Sequence, residues 1–173
     1  MPELLPAERD WLARVEAGAA TSRPPLPAHR LVEAVIDRHP DRPAVVTREE
    51  TVTYAGLEQR ANRIAAALLD AGLSPGQAVA VLADAGPWLP AAVLGLWKAG
   101  GVHLPLSPEL PTDRIAFILR DAGARHLLVL PGAEVPPGLP DSLVLLHPET
   151  LTGDAVRPRS EEHSLNSSHI TIS

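Results

Sequence analysis

The chain contains no cysteine among its 173 residues. Disulfides and thiolate metal sites are therefore excluded, although this absence does not fix the compartment. Lysine occurs once, at Lys98, and the formal net charge is −6. The basic patch or stripe that usually marks a nucleic-acid-binding protein is missing, so we expect no nucleic-acid partner.

Long apolar runs are also missing. No run approaches the roughly 20 apolar residues that a transmembrane helix needs. The segment from Met1 to Glu3 has no basic region followed by an apolar stretch, as a signal peptide would. We therefore expect no membrane partner and take the cytoplasm as the compartment.

The sequence does contain apolar residues in alternating helical and strand patterns. Helical spacing predicts helices over 8–16, about 31–36 and 54–71, and two more from about 87 and about 112. Apolar or β-branched runs predict strands at 44–46, 51–53, 78–82, 102–106, 125–130 and 142–146. This alternation predicts an α/β fold of βαβ units, with a mostly parallel sheet flanked by helices.

Local signals predict how these helices begin and end. Thr53 is a suitable N-cap for the helix over 54–71, and Thr112 is suitable for the last helix. Gly72 fits the position just past a helix end, where a left-handed conformation closes the helix. The charged residues Glu58, Arg60 and Arg63 are interpreted as a solvated helix face.

Residues that could support chemistry are scattered. His29, His39, His103, His126 and His147 show no HxxxH or HExxH spacing, so no metal site is predicted. Ser74 and Ser107 precede prolines in turns and lack a GxSxG elbow. Neither GxxxxGKS/T nor GxGxxG occurs. Residues 84–86 follow a buried strand, where ligands gather in parallel sheets, but we favour a simple turn there. The sequence therefore assigns no catalytic, cofactor-binding or metal-ligating residue.

The last fifteen residues, RSEEHSLNSSHITIS, differ from the rest of the chain. Five of the nine serines lie in 159–173, and the apolar periodicity stops there. Codons can be chosen that spell a common sequencing adapter and its index with one base dropped. We interpret 159–173 as a non-native tail and leave it out of the fold.

Two stretches resemble the first two core motifs of adenylation domains. Residues 52–57 read VTYAGL and residues 60–63 read RANR, against a pattern of L/V-T/S-Y-x-E-L followed by R-A-N. Residues 96–108 read LWKAGGVHLPLSP and residues 111–115 read PTDRI, against LKAGxAYxPxDPxxPxxRI. Gly56, His103 and Ser107 depart from these patterns, where glutamate, tyrosine and aspartate are usual. The resemblance, over about 28–130, is to the adenylate-forming superfamily, nearest to amino-acid-activating domains of nonribosomal peptide synthetases.

This resemblance implies three parts: a leader and linker at 1–27, a truncated amino-terminal portion of an adenylation domain at 28–158, and the tail. Such enzymes condense a carboxylate with ATP, release pyrophosphate, and pass the acyl group to a phosphopantetheine thiol. The resemblance places the phosphate-binding loop, the metal-binding acid and the catalytic lysine beyond this chain, and gives Lys98 a structural role. We therefore expect this part alone to be inactive and to bind no cofactor; ATP, Mg²⁺ and a phosphopantetheine carrier belong to the complete enzyme. Its partners would be the remainder of its domain, a carrier domain and an amino-acid substrate.

Two alternatives stay open. One is part of an acyl-coenzyme A ligase of the same superfamily, and the other is a self-contained, non-catalytic α/β binding module. The identity of the activated acid and the organisation of the parent protein are also open. We further expect strands 78–82, 102–106 and 125–130, apolar on both faces, to need cover from later parts of the domain.

Overall fold

The computed structural model of the chain describes residues 5–17 and 26–151. Residues 1–4 and 18–25 of the predicted leader and linker, and all of the predicted tail at 159–173, lie outside the described residues. None of the helices within these ranges combines the length and the hydropathy that a membrane span requires.

Five helices and six strands make up the described fold. The helices are α1 (Pro6–Ala17), α2 (Ala28–Arg38), α3 (Tyr54–Asp70), α4 (Leu89–Lys98) and α5 (Thr112–Asp121). The strands are β1 (Pro43–Val46), β2 (Thr51–Thr53), β3 (Ala78–Leu82), β4 (Val102–Leu106), β5 (His126–Val129) and β6 (Val144–Leu146), and a 3₁₀ turn, Pro148–Thr150, follows. Each predicted helix and strand is present, with ends that differ by up to a few residues.

The predicted parallel sheet is confirmed. β3 through β6 form a four-stranded sheet in the order β4-β3-β5-β6, and every neighbouring pair is parallel. β1 and β2 form a separate antiparallel hairpin immediately before α3. α4 is the crossover between the parallel neighbours β3 and β4. α5 then leads from β4 to β5, which lies on the other side of β3.

Both faces of β3 and β5 are covered by the chain itself. Val79 and Val81 of β3 pack with α2, α3 and α4 on one face, which we call face one. Ala80 and Leu82 pack with α5 and with apolar residues of the 131–143 loop on the other, face two. The expectation that these strands need cover from later parts of the domain is therefore wrong for 78–82 and 125–130, because α5 and the loop after β5 supply the second layer. The edge strand β4 is partly exposed, as Val102 shows.

The helix ends follow the sequence signals with one exception. The Thr53 hydroxyl accepts a hydrogen bond from the Gly56 N–H at 3.1 Å, as the cap prediction requires. Gly72 adopts φ 83°, and the Leu73 N–H reaches back to the Leu68 carbonyl at 3.0 Å. This is the bond that closes a Schellman end. The predicted Thr112 cap is wrong: Pro111 occupies the N-cap position, and α5 has no side-chain cap bond in the part of the chain that the structure describes.

Candidate functional site

The carboxyl ends of β3 and β5 form the point where the chain changes direction across the sheet. After β3 the chain turns into α4, which packs on face one. After β5 it enters the 131–143 loop, which packs on face two. β3 and β5 are neighbours in the sheet, so their connections diverge on either side of one crevice. In open α/β sheets such a switch point, outside the strand ends, is where ligands bind.

A cleft of about 370 Å³ lies at this crevice. Its walls are residues 84–89, after β3, and residues 130–132, after β5. The lining is mostly apolar, with Trp88, Leu89, Leu130 and Pro131 among its members, and Asp84 adds a solvent-exposed carboxylate. The favoured interpretation of residues 84–86 as a simple turn is therefore incomplete, because this turn also forms one wall of a cleft.

Trp88 is held in this wall by a charged pair from outside the cleft. The Arg60 guanidinium lies 4.3 Å from the centroid of the Trp88 ring, within cation–π range. The same guanidinium donates two hydrogen bonds to the Glu50 carboxylate, at 3.1 and 2.7 Å. The bond from Arg60 holds the pKa of Glu50 below its usual value. The β1–β2 hairpin, α3 and the cleft wall are thus tied together through Arg60.

Lys98 lies at the centre of a buried polar cluster. Its ammonium donates to Glu58 Oε1 at 2.6 Å and to Asn62 Oδ1 at 2.9 Å, both on α3. It also pairs with Glu33 Oε1 on α2 at 3.1 Å. The Lys98 side chain is 1% exposed, so this cluster, not solvent, satisfies its charge. Lys98 therefore links α2, α3 and α4 in the interior of the protein.

The interpretation of Glu58, Arg60 and Arg63 as a solvated face is wrong. Glu58 is buried against Lys98, and Arg60 bridges Glu50 and Trp88. Arg63 donates to the Leu151 carbonyl at 3.4 Å. These partners lie 10 to 88 residues away in sequence, so helical periodicity could not show them.

The histidines and serines are not brought together. His126 begins β5 and lies 3.0 Å from the Ala71 carbonyl at the end of α3, and His147 is 3.8 Å from Glu149. The Ser107 hydroxyl accepts from the Glu109 N–H at 3.2 Å, within its own turn. In the part of the chain that the structure describes, no group of three or more His, Asp or Glu residues could hold a metal ion.

Comparison with known proteins gives a family and a set of relatives. The profile of the AMP-binding enzyme family matches residues 32–170. Surfactin synthase subunit 2 of Bacillus subtilis is 40% identical over 147 residues, which cover 83% of this chain and 4% of that protein. Tyrocidine synthase 3 of Brevibacillus parabrevis is 39% identical over 100 residues, 58% of this chain and 2% of that protein.

Solved structures show the same similarity in three dimensions. The nonribosomal peptide synthetase FmoA3, in its α-methyl-L-serine-AMP bound form, aligns with a TM-score of 0.75 and 31% identity over 87% of this chain and 17% of that chain. The N-terminal subdomain of Klebsiella oxytoca NpsA aligns with a TM-score of 0.63 and 29% identity over 77% of this chain and 33% of that one. The present chain therefore spans a small part of each relative.

Proposed function

The chain belongs to the AMP-binding enzyme family, and we propose that it is the amino-terminal part of an adenylation domain that activates an amino acid. The observation that supports this most is the similarity to FmoA3 over 87% of the chain, since FmoA3 is described with an aminoacyl-AMP. In the complete enzyme the amino-acid carboxylate would be joined to the AMP of ATP with release of pyrophosphate. The acyl group would then pass to the thiol of a phosphopantetheine carrier.

The residues that line the cleft do not fit ATP or Mg²⁺. Among the described residues, the lining of the cleft holds one carboxylate and no lysine, arginine or hydroxyl group. A triphosphate requires cationic or N–H-rich surroundings, and Mg²⁺ requires several oxygen ligands. We therefore assign no step of the reaction to this chain and propose that it alone is inactive.

The role proposed for this part is to build one sheet of the domain and to dock the remainder. β4 offers an open edge for this purpose, with Val102 53% exposed. The proposed division is a leader at 1–27, the adenylation-domain portion at 28–158 and the non-native tail at 159–173. The family match extends to residue 170 and so overlaps the tail. The origin of the tail residues is therefore tested by the genomic sequencing described next.

Amplifying the locus from genomic DNA and reading past the codon for Pro158 tests the proposal. We expect the reading frame to continue without the fifteen tail codons and to encode a Ser/Thr/Gly-rich loop ending in Pro-Lys-Gly. A carrier domain after the ligase would favour the peptide synthetase over an acyl-coenzyme A ligase. A stop codon directly after Pro158 would contradict the proposal and favour an independent module.

A further inference from the structure

We propose that the cleft at the carboxyl ends of β3 and β5 is a binding site for a small amphipathic cation, a primary amine on an aromatic or branched aliphatic body. The proposal does not rest on the adenylating function. It rests on the position of the cleft at the switch point, on its size, and on the chemistry of its lining.

The size and the lining suit a small organic molecule. Ligand sites are typically clefts of about 300–1,000 Å³ with mainly apolar walls and a few placed polar groups, and this cleft has about 370 Å³. Trp88, Leu89 and Leu130 give apolar surface from both sides of the crevice. Among the described residues, Asp84 is the one charged group in the lining, so the electrostatic preference is for a cation.

Trp88 is positioned before any ligand arrives. Arg60 stacks on its ring at 4.3 Å, and the Glu50 carboxylate fixes the guanidinium in turn. A preorganised aromatic wall lowers the ordering cost of binding. Because Glu50 compensates the charge of Arg60, the guanidinium does not cancel the field of Asp84 at the cleft.

The beginning of α4 opposes a cation only weakly. Trp88 is its N-cap, and no side-chain hydrogen bond caps this end among the described residues. A helix N-terminus carries a partial charge of about +0.5, less than the full negative charge of Asp84. A carboxylate ligand would meet that same aspartate and is therefore disfavoured.

Gly86 provides a way to fill the cleft without straining the chain. A Cβ built on Gly86 meets no atom within 4 Å, and its backbone lies outside the left-handed region. Because Gly86 lines the cleft, we expect the side chain of Gly86→Leu to take up cleft volume while leaving the turn intact. Asp70→Asn is the matched charge control, because Asp70 is an exposed aspartate at the end of α3. That helix end contacts the amino-terminal end of β5, whereas Asp84 follows the carboxyl end of the parallel strand β3.

Binding of 2-phenylethylamine to the 173-residue chain, measured by isothermal titration or ligand-observed NMR, tests the proposal. We expect saturable binding that is tighter than for 2-phenylethanol and much tighter than for 3-phenylpropionate. Asp84→Asn should weaken amine binding about two- to five-fold, the scale of an exposed ion pair, and leave the alcohol unchanged. Gly86→Leu should abolish both, and Asp70→Asn should change neither.

Three results would overturn the proposal: no saturation by the amine, equal binding of the carboxylate, or unchanged binding in a folded Gly86→Leu variant. Circular dichroism of each variant reports whether it folds. If Gly86→Leu does not, Trp88→Leu and Asp84→Asn decide, and full amine affinity in both would refute the site. None of these results depends on what the gene encodes past Pro158.

Discussion

At the scale of single residues, Lys98 shows most clearly how the second core motif, at residues 96–108, contributes to the fold. Its charge is satisfied by Glu33, Glu58 and Asn62, which come from two other helices. A buried charge is tolerated when it is paired and hydrogen-bonded, and removing one partner leaves the other uncompensated. The resemblance implies a structural role for Lys98. The buried cluster explains this role, because its contacts link α4 to α2 and α3.

Lys98→Met should destabilise the chain strongly. The Glu33 and Glu58 side chains are 6% and 12% exposed, so both carboxylates would remain buried after losing the Lys98 ammonium. Glu33 would keep only its pair with the partly exposed Arg30. We expect a loss of about 3–5 kcal/mol in the free energy of unfolding, measured by urea denaturation. Arg30→Met is the control, since Arg30 is 35% exposed and its pair with Glu33 should contribute at most about 1 kcal/mol. Equal losses in the two variants would contradict the role assigned to Lys98.

His29 and His103 should lower the free energy of unfolding as the pH falls into the mildly acidic range. Burial lowers the pKa of His29, against the opposing effect of Glu33, and burial also lowers the pKa of His103. The unfolded chain then takes up protons first, as pH falls below about 6.5. The free energy of unfolding should be level above that pH and fall as pH drops from 6.5 through the lower folded pKa values.

Urea denaturation between pH 8 and pH 5 measures this slope. Replacing both residues, His29→Gln with His103→Gln, should flatten it, whereas His39→Gln should not, because His39 is exposed. An unchanged slope in the double variant would show that other groups cause the acid loss.

At the scale of elements, the helices and strands were predictable because their signals are local. The Thr53 cap and the left-handed Gly72 follow from neighbouring residues alone, and both are present. The Thr112 cap failed because Pro111 holds the N-cap position in the structure. The contacts of Arg60 and Lys98 could not be predicted, because they join segments that only the tertiary fold brings together.

The Thr53 cap can be tested by comparison with Thr112, which was predicted to cap α5 but makes no capping bond among the described residues. Thr53→Ala removes the acceptor for the Gly56 N–H and should cost about 1 kcal/mol of stability. Thr112→Ala removes no capping bond and should cost clearly less. Chemical denaturation of the two variants in parallel makes the comparison. A larger loss from Thr112→Ala would mean that the cap assignments are reversed.

The crossing of α3 and α4 depends on Gly95. A Cβ at this position would lie 2.5 Å from the Ala61 carbonyl oxygen and 2.9 Å from Ile64 Cβ. Gly95→Ala should therefore push the helices apart and cost about 1–3 kcal/mol, the scale of overpacking.

Gly86→Ala is the matched glycine control, because a Cβ there meets no atom within 4 Å. Thermal unfolding followed by circular dichroism should show a lower midpoint for Gly95→Ala only. A native midpoint for Gly95→Ala would contradict the close packing of α3 on α4.

At the scale of the whole molecule, the fold class was predictable from the alternation of elements, but the layer that covers face two was not. No helix or strand is predicted over residues 131–141, yet Val135 and Leu139 of this segment pack against the sheet. The cleft was missed for a related reason, since it needs β3 and β5 side by side and the sequence does not give the strand order. The family resemblance, by contrast, rested on motifs that are continuous in sequence.

Amino-acid-dependent exchange of labelled pyrophosphate into ATP is the most direct test of the proposed function. We expect no exchange above background from the 173-residue chain with any amino acid, because none of its described residues is assigned to the chemistry. The protein encoded by the complete reading frame should catalyse exchange with at least one amino acid. Exchange by the 173-residue chain alone, or none by the complete protein with every amino acid tried, would contradict the proposal.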